Sequence, residues 1–296
     1  MAASTKQADH SLREPASWRR TKNRIFTGLV VLAAVLMAIP LGFVLWTVIS
    51  RGASVINWSF LTGSIPPLVA PASEGGIGPA VLGTLEITGM ATLMAVPLGV
   101  LGAVYLNEYG GRGLLARVVR FMSDVMTGVP SIVMGLFVFS IWVLRFGFSG
   151  FAGALALACL MLPIVIRSSE EMLKLVPDPL REASYALGAT KARVTLTVVL
   201  PAAIGGIVSG ALLAVARAAG ETAPLLFTIL TVTAANPNLF SGANTGLPSQ
   251  IFVNASSPYV GAQDRAWGAA LTLIVIAFAL MVIARVVTAR FTRSAR

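Results

Sequence analysis

Six long apolar stretches divide this chain and leave few folds open to it. They lie at residues 27-49, 80-106, 122-144, 149-166, 202-230 and 267-287. A helix that crosses the hydrocarbon layer of a membrane needs about 20 apolar residues, and in lipid the backbone polar groups must be satisfied within helices or closed barrels. Hydrophobic residues make up 56% of the chain and charged residues only 11%, whereas charged residues are about a quarter of a soluble domain. The sequence therefore predicts an all-α membrane protein with six transmembrane helices.

The distribution of positive charge predicts how these helices are oriented. Basic residues cluster before the first stretch, after the second, after the fourth and at the end of the chain, while the opposite side has only Arg51, Arg145 and Arg265. The positive-inside rule then places both termini in the cytoplasm. The net charge of +10 does not indicate nucleic acid binding, because the basic residues are split among four short segments with few aromatic residues between them.

Two outer segments, about 51-79 and 231-266, are rich in Pro, Gly, Asn and Ser. Loops of this length are usually either functional or disordered. Two interpretations stay open for them, a docking surface for an external partner and a solvated linker.

The sequence contains no residue pattern for catalysis. It has no Gly-x-x-x-x-Gly-Lys-[Ser/Thr] phosphate loop and no paired-histidine metal motif. His10 is the single histidine and lies in the basic N-terminal segment, and Cys159 is the single cysteine, inside the fourth stretch. We therefore expect a non-catalytic chain that binds no metal and no cofactor of its own.

Three charged residues lie well away from the ends of the apolar stretches. Arg217 stands near the middle of the fifth stretch, where an arginine costs about 3 kcal/mol on the mildest insertion scale. Glu221 follows one helical turn later, and Glu86 lies in the outer part of the second stretch. One interpretation is a structural ion-pair cluster that holds helices in register. The other is a substrate pathway formed by Arg217, Glu221 and Glu86, in which the planar fork of arginine would bind an oxyanion.

Small residues share the helix face that carries the Arg217–Glu221 pair. At 100° per residue, Gly206 and Gly210 lie on the same stripe as the two charges, followed by Pro224. Glycines spaced four apart let helix backbones approach closely. We expect Gly206, Gly210 and Pro224 to serve helix packing, either within the bundle or at a subunit interface, and Pro224 to distort the fifth helix.

A short helix is predicted on the cytoplasmic side, between the fourth and fifth stretches. Asp178 is placed to cap it, Pro179 to begin it and Gly188 to end it in a left-handed turn. About two and a half turns would expose a face of small and apolar residues, namely Leu180, Ala183, Ser184 and Leu187. Such a helix suits insertion into a groove on a partner, and the alternative is a helix that lies on the membrane surface.

Four sequence segments resemble the phosphate-importer permease family PstA. In the cytoplasmic loop, Glu182-Ala183-Ser184, then three residues, Gly188, nine residues and Val198-Val199-Leu200-Pro201 match the loop pattern of ABC-importer permeases, with Ser184 for an alanine and Val198 for an isoleucine. The other three segments resemble the family's signatures and are Gly75-Gly76-Ile77-Gly78-Pro79-Ala80, Gly128-Val129-Pro130-Ser131-Ile132-Val133-Met134-Gly135-Leu136-Phe137 and Ala216-Arg217-Ala218-Ala219-Gly220-Glu221-Thr222-Ala223-Pro224-Leu225.

The resemblance implies a fold and a set of partners. The fold would be the type I ABC-importer (MetI-like) permease fold, and residues 178-188 would be the coupling helix, with Glu182 and Gly188 in the ATPase-docking motif. The partners would be a homologous permease, PstC, a dimer of the ATPase PstB that carries ATP and Mg²⁺, and the periplasmic phosphate-binding protein PstS. Arg217 would match the family arginine associated with the passage of inorganic phosphate.

On this interpretation the chain divides into four parts. They are a basic cytoplasmic tail at 1-24, a first transmembrane helix with its outer loop at 25-78, the ABC transmembrane core at 79-290 and a cytoplasmic tail at 291-296. Two rival functions remain. One is a secondary anion/proton transporter that uses Glu86, Arg217 and Glu221 as a relay, and the other is a membrane scaffold that anchors an ATPase.

Overall fold

A computed structural model describes residues 16–111 and 113–294 of the chain. Residues 1–15 of the predicted basic tail, Arg112 and residues 295–296 lie outside the described residues. Within the described part, residues up to Ile49 form one compact unit and those from Ser50 onward form another. The first unit consists of most of helix α1, Ala16–Gly52. This helix begins at Ala16, so residues 16–24, which the sequence assigned to a tail, are helical.

The second unit is built from twelve further helices among the described residues, three of them extended by a π-helical turn. They are α2 Trp58–Thr62, α3 Gly78–Val104 with the π turn Tyr105–Tyr109, α4 Leu114–Gly128, α5 Ser131–Val138 with the π turn Phe139–Val143, α6 Leu144–Phe146, α7 Gly150–Lys174, α8 Asp178–Ala186, α9 Lys191–Val194 with the π turn Thr195–Val199, α10 Leu200–Ala219, α11 Ala223–Thr228, α12 Leu247–Ala255 and α13 Val260–Ser294.

Five described helices are long and apolar enough to cross a membrane, and a bent pair makes a sixth candidate span. The five run over Arg20–Gly52, Gly78–Tyr109, Gly150–Lys174, Lys191–Ala219 and Val260–Ile283. The bent pair, Leu114–Gly128 and Ser131–Phe146, turns by 108°. The all-α fold predicted from the sequence is confirmed, and the spans number six when the bent pair is counted as one.

The sequence predicted the third and fifth spans as continuous helices, and this prediction is wrong. The third is broken at Val129 and Pro130, because the residue before a proline avoids the helical conformation and proline lacks an N–H to donate. The fifth ends at Ala219. Pro224 therefore does not distort a continuing helix; it lies in the first turn of α11, where the missing N–H costs nothing.

Helix α7 lies at the centre of the second unit and contacts α3, α4, α5, α10 and α11. Its core contacts are made largely by small residues. Ala154 and Ala158 on α7 belong to one buried cluster with Ala91 of α3 and Ala214 of α10. Since lipid supplies no hydrophobic drive between helices, close approach through small side chains is what holds such a bundle together.

The outer segments 51-79 and 231-266 are ordered and are not simple linkers. In the first, Asn57 caps α2 by accepting a hydrogen bond from Phe60 N at 2.8 Å, and Phe60 is 1% exposed. The second contains α12, whose Gln250 and Asn254 side chains are buried and hydrogen-bonded to each other at 3.1 Å. Buried polar groups with partners define one conformation.

Candidate functional site

The break in the third span and the end of the fifth meet at one cavity. Its volume is about 160 Å³. The walls come from the end of α4, the start of α5, the middle of α7 and the end of α10; they include Met126, Thr127, Val129, Pro130, Ser131, Leu160, Met161, Ile164, Ala214, Arg217, Ala218 and Glu221. The cavity therefore lies where two helices are interrupted, and the charged residues in its lining are Arg217 and Glu221.

Arg217 and Glu221 form an ion pair in this cavity. Arg217 Nε lies 3.4 Å from Glu221 Oε1, and the two side chains are 67% and 18% exposed. The spacing of the pair was predicted, but the shared helical stripe was not observed. Helix α10 ends at Ala219, and Glu221 N donates to Ala218 O in the turn that follows, which brings the carboxylate back towards Arg217. The pair is long and its arginine side chain is largely exposed, so it holds Arg217 only weakly.

Two hydroxyl side chains also line the cavity. Thr127 Oγ1 donates to Asp124 O at 2.7 Å within α4, and Ser131 is the first residue of α5. The first N–H groups of a helix have no acceptor inside the helix, and the helix dipole makes that end partially positive. The cavity thus combines a guanidinium, hydroxyl groups and the positive end of α5 with a single carboxylate.

Glu86 is not brought to the same cavity. It is partly buried on α3 and lines a separate pocket of about 60 Å³ with residues of the second outer segment, among them Asn236 and Asn244. The predicted grouping of Glu86 with Arg217 and Glu221 therefore does not appear as one cluster in the described structure. Without Glu86, the formal charge of the Arg217 cavity is zero rather than minus one.

Gly206 and Gly210 pack against α7. A Cβ on Gly206 would collide with the side chain of Met172, and one on Gly210 would collide with that of Ser168. Pro224 lies against Gly135 of α5. Gly206, Gly210 and Pro224 thus all make close contacts within the described chain. The two glycines precede Arg217 in the sequence and the proline follows it.

The short helix predicted between the fourth and fifth stretches is present as α8, with one difference from the predicted cap. Pro177 occupies the N-cap position and Asp178 is the first helical residue, where its carboxylate pairs with Arg181 Nη1 at 3.0 Å. The end is as expected, because Gly188 has φ +81° and takes the left-handed conformation. The proline at 179 fixes the first turn, so a side-chain cap is not required there.

No residue of α8 is buried. Leu180 and Leu187 are 47% and 90% exposed, Ala183 and Glu182 are also exposed, and Ser184 is partly so. An ordered helix with an open apolar face is available for contact with a partner.

Two ion pairs that the sequence analysis did not single out join helices of the bundle, one attaching α8 to the π turn after α3 and the other attaching α4 to α7. Arg181 Nη2 pairs with Glu108 Oε1 at 3.1 Å, and Arg120 Nε pairs with Glu170 Oε1 at 2.9 Å. The sequence carried a signal for one of these residues, since Glu170 and Lys174 have the i,i+4 spacing of a helical ion pair. The partners of Arg181 and Arg120 lie 73 and 50 positions away, a separation that no local pattern spans.

No metal centre is evident in the described part of the chain. Within residues 16–111 and 113–294, no group of three or more His, Cys, Asp or Glu side chains is placed to hold a metal ion.

Comparison with known proteins identifies the family. Residues 95–296 match the model of the binding-protein-dependent transport system inner membrane component family. The phosphate transport system permease protein PstA 1 of Mycobacterium tuberculosis is 45% identical, with 94% of this chain and 91% of that protein covered. PstA of Yersinia pestis is 42% identical, with 95% and 94% covered. This chain belongs to the PstA permease family.

Solved structures of ABC transporters share the fold of this chain. An inward-facing permease of the MetNI methionine ABC transporter is 21% identical with a TM-score of 0.52, over 75% of this chain and 94% of that one. A chain of a bacterial alginate ABC transporter, solved with an alginate-bound periplasmic protein, is 13% identical with a TM-score of 0.66, over 94% and 99%. At these identities the likeness supports the fold alone. The chain is a multi-pass membrane protein with an ABC-importer permease fold.

Proposed function

We propose that this chain is the membrane-spanning permease subunit of an ATP-driven importer that moves inorganic phosphate into the cytoplasm. The observation that carries the proposal is Arg217, held at the end of α10 in a cavity between two broken helices. Broken helices at membrane depth are tolerated where they line a pathway. The close relatives named phosphate transport permeases supply the substrate.

The chemistry of the cavity fits an oxyanion. Arg217 offers a planar fork of donors that stays charged in a dry site, and Thr127 and Ser131 offer hydroxyl groups. The weak pair with Glu221 can open as an anion arrives, because its Nε–Oε1 distance is already 3.4 Å. Glu221 then needs a proton or a second cation nearby, which a neighbouring subunit would supply.

The chain itself is a non-catalytic subunit in this proposal. ATP and Mg²⁺ belong to a PstB dimer, which receives the apolar face of α8, and a homologous permease, PstC, covers the exposed face of Arg217. A periplasmic phosphate-binding protein, PstS, delivers the ligand at the outer side. The alginate transporter solved with its periplasmic protein provides a precedent for that arrangement.

The orientation follows from charge and from α8. With both termini in the cytoplasm, α7 runs inward and α8 lies on the cytoplasmic side, as the excess of basic residues there requires. Closure of the ATPases would draw α8 towards its counterpart on the second permease and change access to the Arg217 cavity.

The test is reconstitution of the four-protein transporter in liposomes with labelled phosphate. We expect Arg217→Gln to reduce uptake by about 10- to 100-fold, since a hydrogen bond to a charged group contributes roughly 1.5–3 kcal/mol. Arg217→Lys should retain part of the uptake because it keeps the charge but loses the fork. Both variants should co-purify with as much ATPase as the wild type does. Full uptake by Arg217→Gln would refute the proposal, and uptake without ATP would favour a secondary transporter.

A further inference from the structure

The extension of α3 at Tyr105–Tyr109 lies between two arginine contacts that come from different helices. Arg181 of α8 binds its Glu108 side chain, and Arg120 of α4 binds its Leu106 carbonyl with Nη2 at 2.8 Å. We name this π-helical turn the α3 extension. It touches both the helix proposed to receive force and the helix that ends at the Arg217 cavity.

Arg181 attaches α8 firmly to the α3 extension. Its side chain is 14% exposed and that of Glu108 is 6% exposed, so the pair is shielded from water. Arg181 also donates to the Val176 and Leu173 carbonyls, and Asn107 Nδ2 donates to Glu108 Oε1 at 2.7 Å. Shielded and multiply hydrogen-bonded ion pairs are far more rigid than exposed ones.

A second contact lies just beyond α8. The ammonium of Lys191, at the start of α9, stands 5.1 Å from the centre of the Tyr109 ring. The α3 extension is therefore held from within α8 and from the segment that follows it. A movement of α8 must carry this turn along or break the Arg181–Glu108 pair.

Arg120 attaches the α3 extension to α4 and α7. Its Nε pairs with Glu170, whose side chain is 2% exposed and which also pairs with Lys174 at 2.8 Å. Leu106, 1% exposed, packs with Ala116 of α4 and Ile166 of α7 beside this pair. Polar contacts and apolar packing therefore both hold the α3 extension against α4 and α7.

Helix α4 connects this clamp to the cavity. Thr127 follows Arg120 by seven residues, about 10 Å along one helix, and lies on the wall of the Arg217 cavity. Because an α-helix moves as a rigid rod over two turns, displacement at Arg120 displaces the cavity wall. The break at Pro130 lets α4 move without dragging α5.

We propose that Glu108 and Arg120 are positioning residues that transmit movement of α8 through the α3 extension to α4 and the cavity. The proposal rests on the proposed function, since it names how ATPase closure reaches the pathway. The π-helical form of the extension agrees with it, because π turns are frequent at functional sites. Loss of either residue should leave ATP hydrolysis active while phosphate uptake decreases.

Two single variants cut the linkage without leaving a buried charge unpaired. Glu108→Ala leaves Arg181 with Asp178 and two carbonyls as partners, and Arg120→Met leaves Glu170 paired with Lys174. Glu108→Gln keeps a hydrogen-bond acceptor and is the conservative variant. Glu171→Ala is the matched control, because Glu171 is exposed beside Glu170 and forms no ion pair among the described residues.

The experiment measures ATP hydrolysed per phosphate taken up by the reconstituted transporter. We expect Glu108→Ala and Arg120→Met each to raise this ratio about five- to tenfold, in the range of residues that carry coupling between sites. Glu108→Gln should give an intermediate ratio and Glu171→Ala the wild-type ratio. The amount of ATPase bound should not change in any variant.

A nitroxide on α4 gives a readout that does not depend on the substrate. Met122→Cys, 47% exposed in the wild type, would be labelled after Cys159→Ser. ATP should change the label's spectrum in the otherwise native transporter and change it much less in Glu108→Ala. A wild-type ratio with a wild-type spectral change, or loss of ATPase binding in Glu108→Ala, would overturn the linkage. If the unaltered transporter moves no phosphate, the proposed function fails, and the label still decides the linkage.

Discussion

Gly135 of α5 lies against the backbone of Pro224 of α11, so closely that a Cβ on Gly135 would stand 2.6 Å from Pro224 Cα. Each of these helices begins just after an interruption of a membrane span, and both interruptions border the Arg217 cavity. The contact therefore joins α5 and α11, the two helices that follow the interruptions.

A methyl group at Gly135 should destabilise this contact. We expect Gly135→Ala to lower the free energy of unfolding by about 1–3 kcal/mol, because both partners at the contact are backbone and cannot rotate away. The matched control is Gly89→Ala on α3, where no atom lies within 4 Å of the added Cβ. There alanine should stabilise the helix by roughly 0.5–1 kcal/mol. Thermal unfolding of the purified chain in detergent measures both, and equal midpoints would contradict the close packing.

Arg265 should hold the first outer segment in place. Its guanidinium is 2% exposed and donates to four main-chain carbonyls, those of Pro67, Leu68, Ala70 and Pro71. Arg265→Met should release the segment, since removing the guanidinium leaves four carbonyls without their donor. Arg265→Lys should release it nearly as much, because a single ammonium with three donors cannot reproduce the fork.

Limited proteolysis of the purified protein measures that release. We expect cleavage between residues 63 and 76 to accelerate about tenfold or more in both variants, as expected when about 1.4 kcal/mol of local stability is lost. Arg145→Met serves as the control, since Arg145 is an exposed arginine at the end of α6. An unchanged cleavage rate in Arg265→Met would show that the segment is held by other contacts.

The sequence predicted the parts of this fold that depend on local pattern. Span number followed from apolar length, and the left-handed Gly188 followed from its position after α8. The break at Pro130 could have been predicted from Gly128-Val129-Pro130, a helix-breaking pattern inside an apolar stretch. Apolar composition continues through that break and hides it, and the same is true where α10 ends at Ala219.

The long-range polar contacts could not be predicted in the same way. Arg181 and Glu108, or Arg265 and the carbonyls near position 70, are joined only by the folding of the whole bundle. A basic residue near a membrane surface satisfies the positive-inside rule whether or not it has a buried partner. Charge counting therefore predicted the topology while missing the residues that hold α8 and the first outer segment.

Glu86 should contribute little to phosphate uptake. It lines a pocket under the second outer segment and not the Arg217 cavity. We expect Glu86→Gln to retain uptake within about twofold of the wild type, because sites without shared partners act independently. The same liposome assay used for Arg217→Gln measures it. A loss as large as that of Arg217→Gln would instead place Glu86 on the substrate pathway, as a proton relay requires.

Gly188 should matter through its backbone conformation alone. Its φ is +81°, and no atom lies within 4 Å of an added Cβ, so a side chain meets strain but no collision. Gly188→Ala should cost about 1–2 kcal/mol at the end of α8, while Gly188→Asn should cost less because asparagine tolerates the left-handed region. We expect ATPase retained on the purified permease to fall in the order Gly, Asn, Ala, measured by co-purification at equal permease amounts. Equal loss in Asn and Ala would mean that the partner's groove excludes any side chain at this position, and no loss in either would remove Gly188 from the docking role.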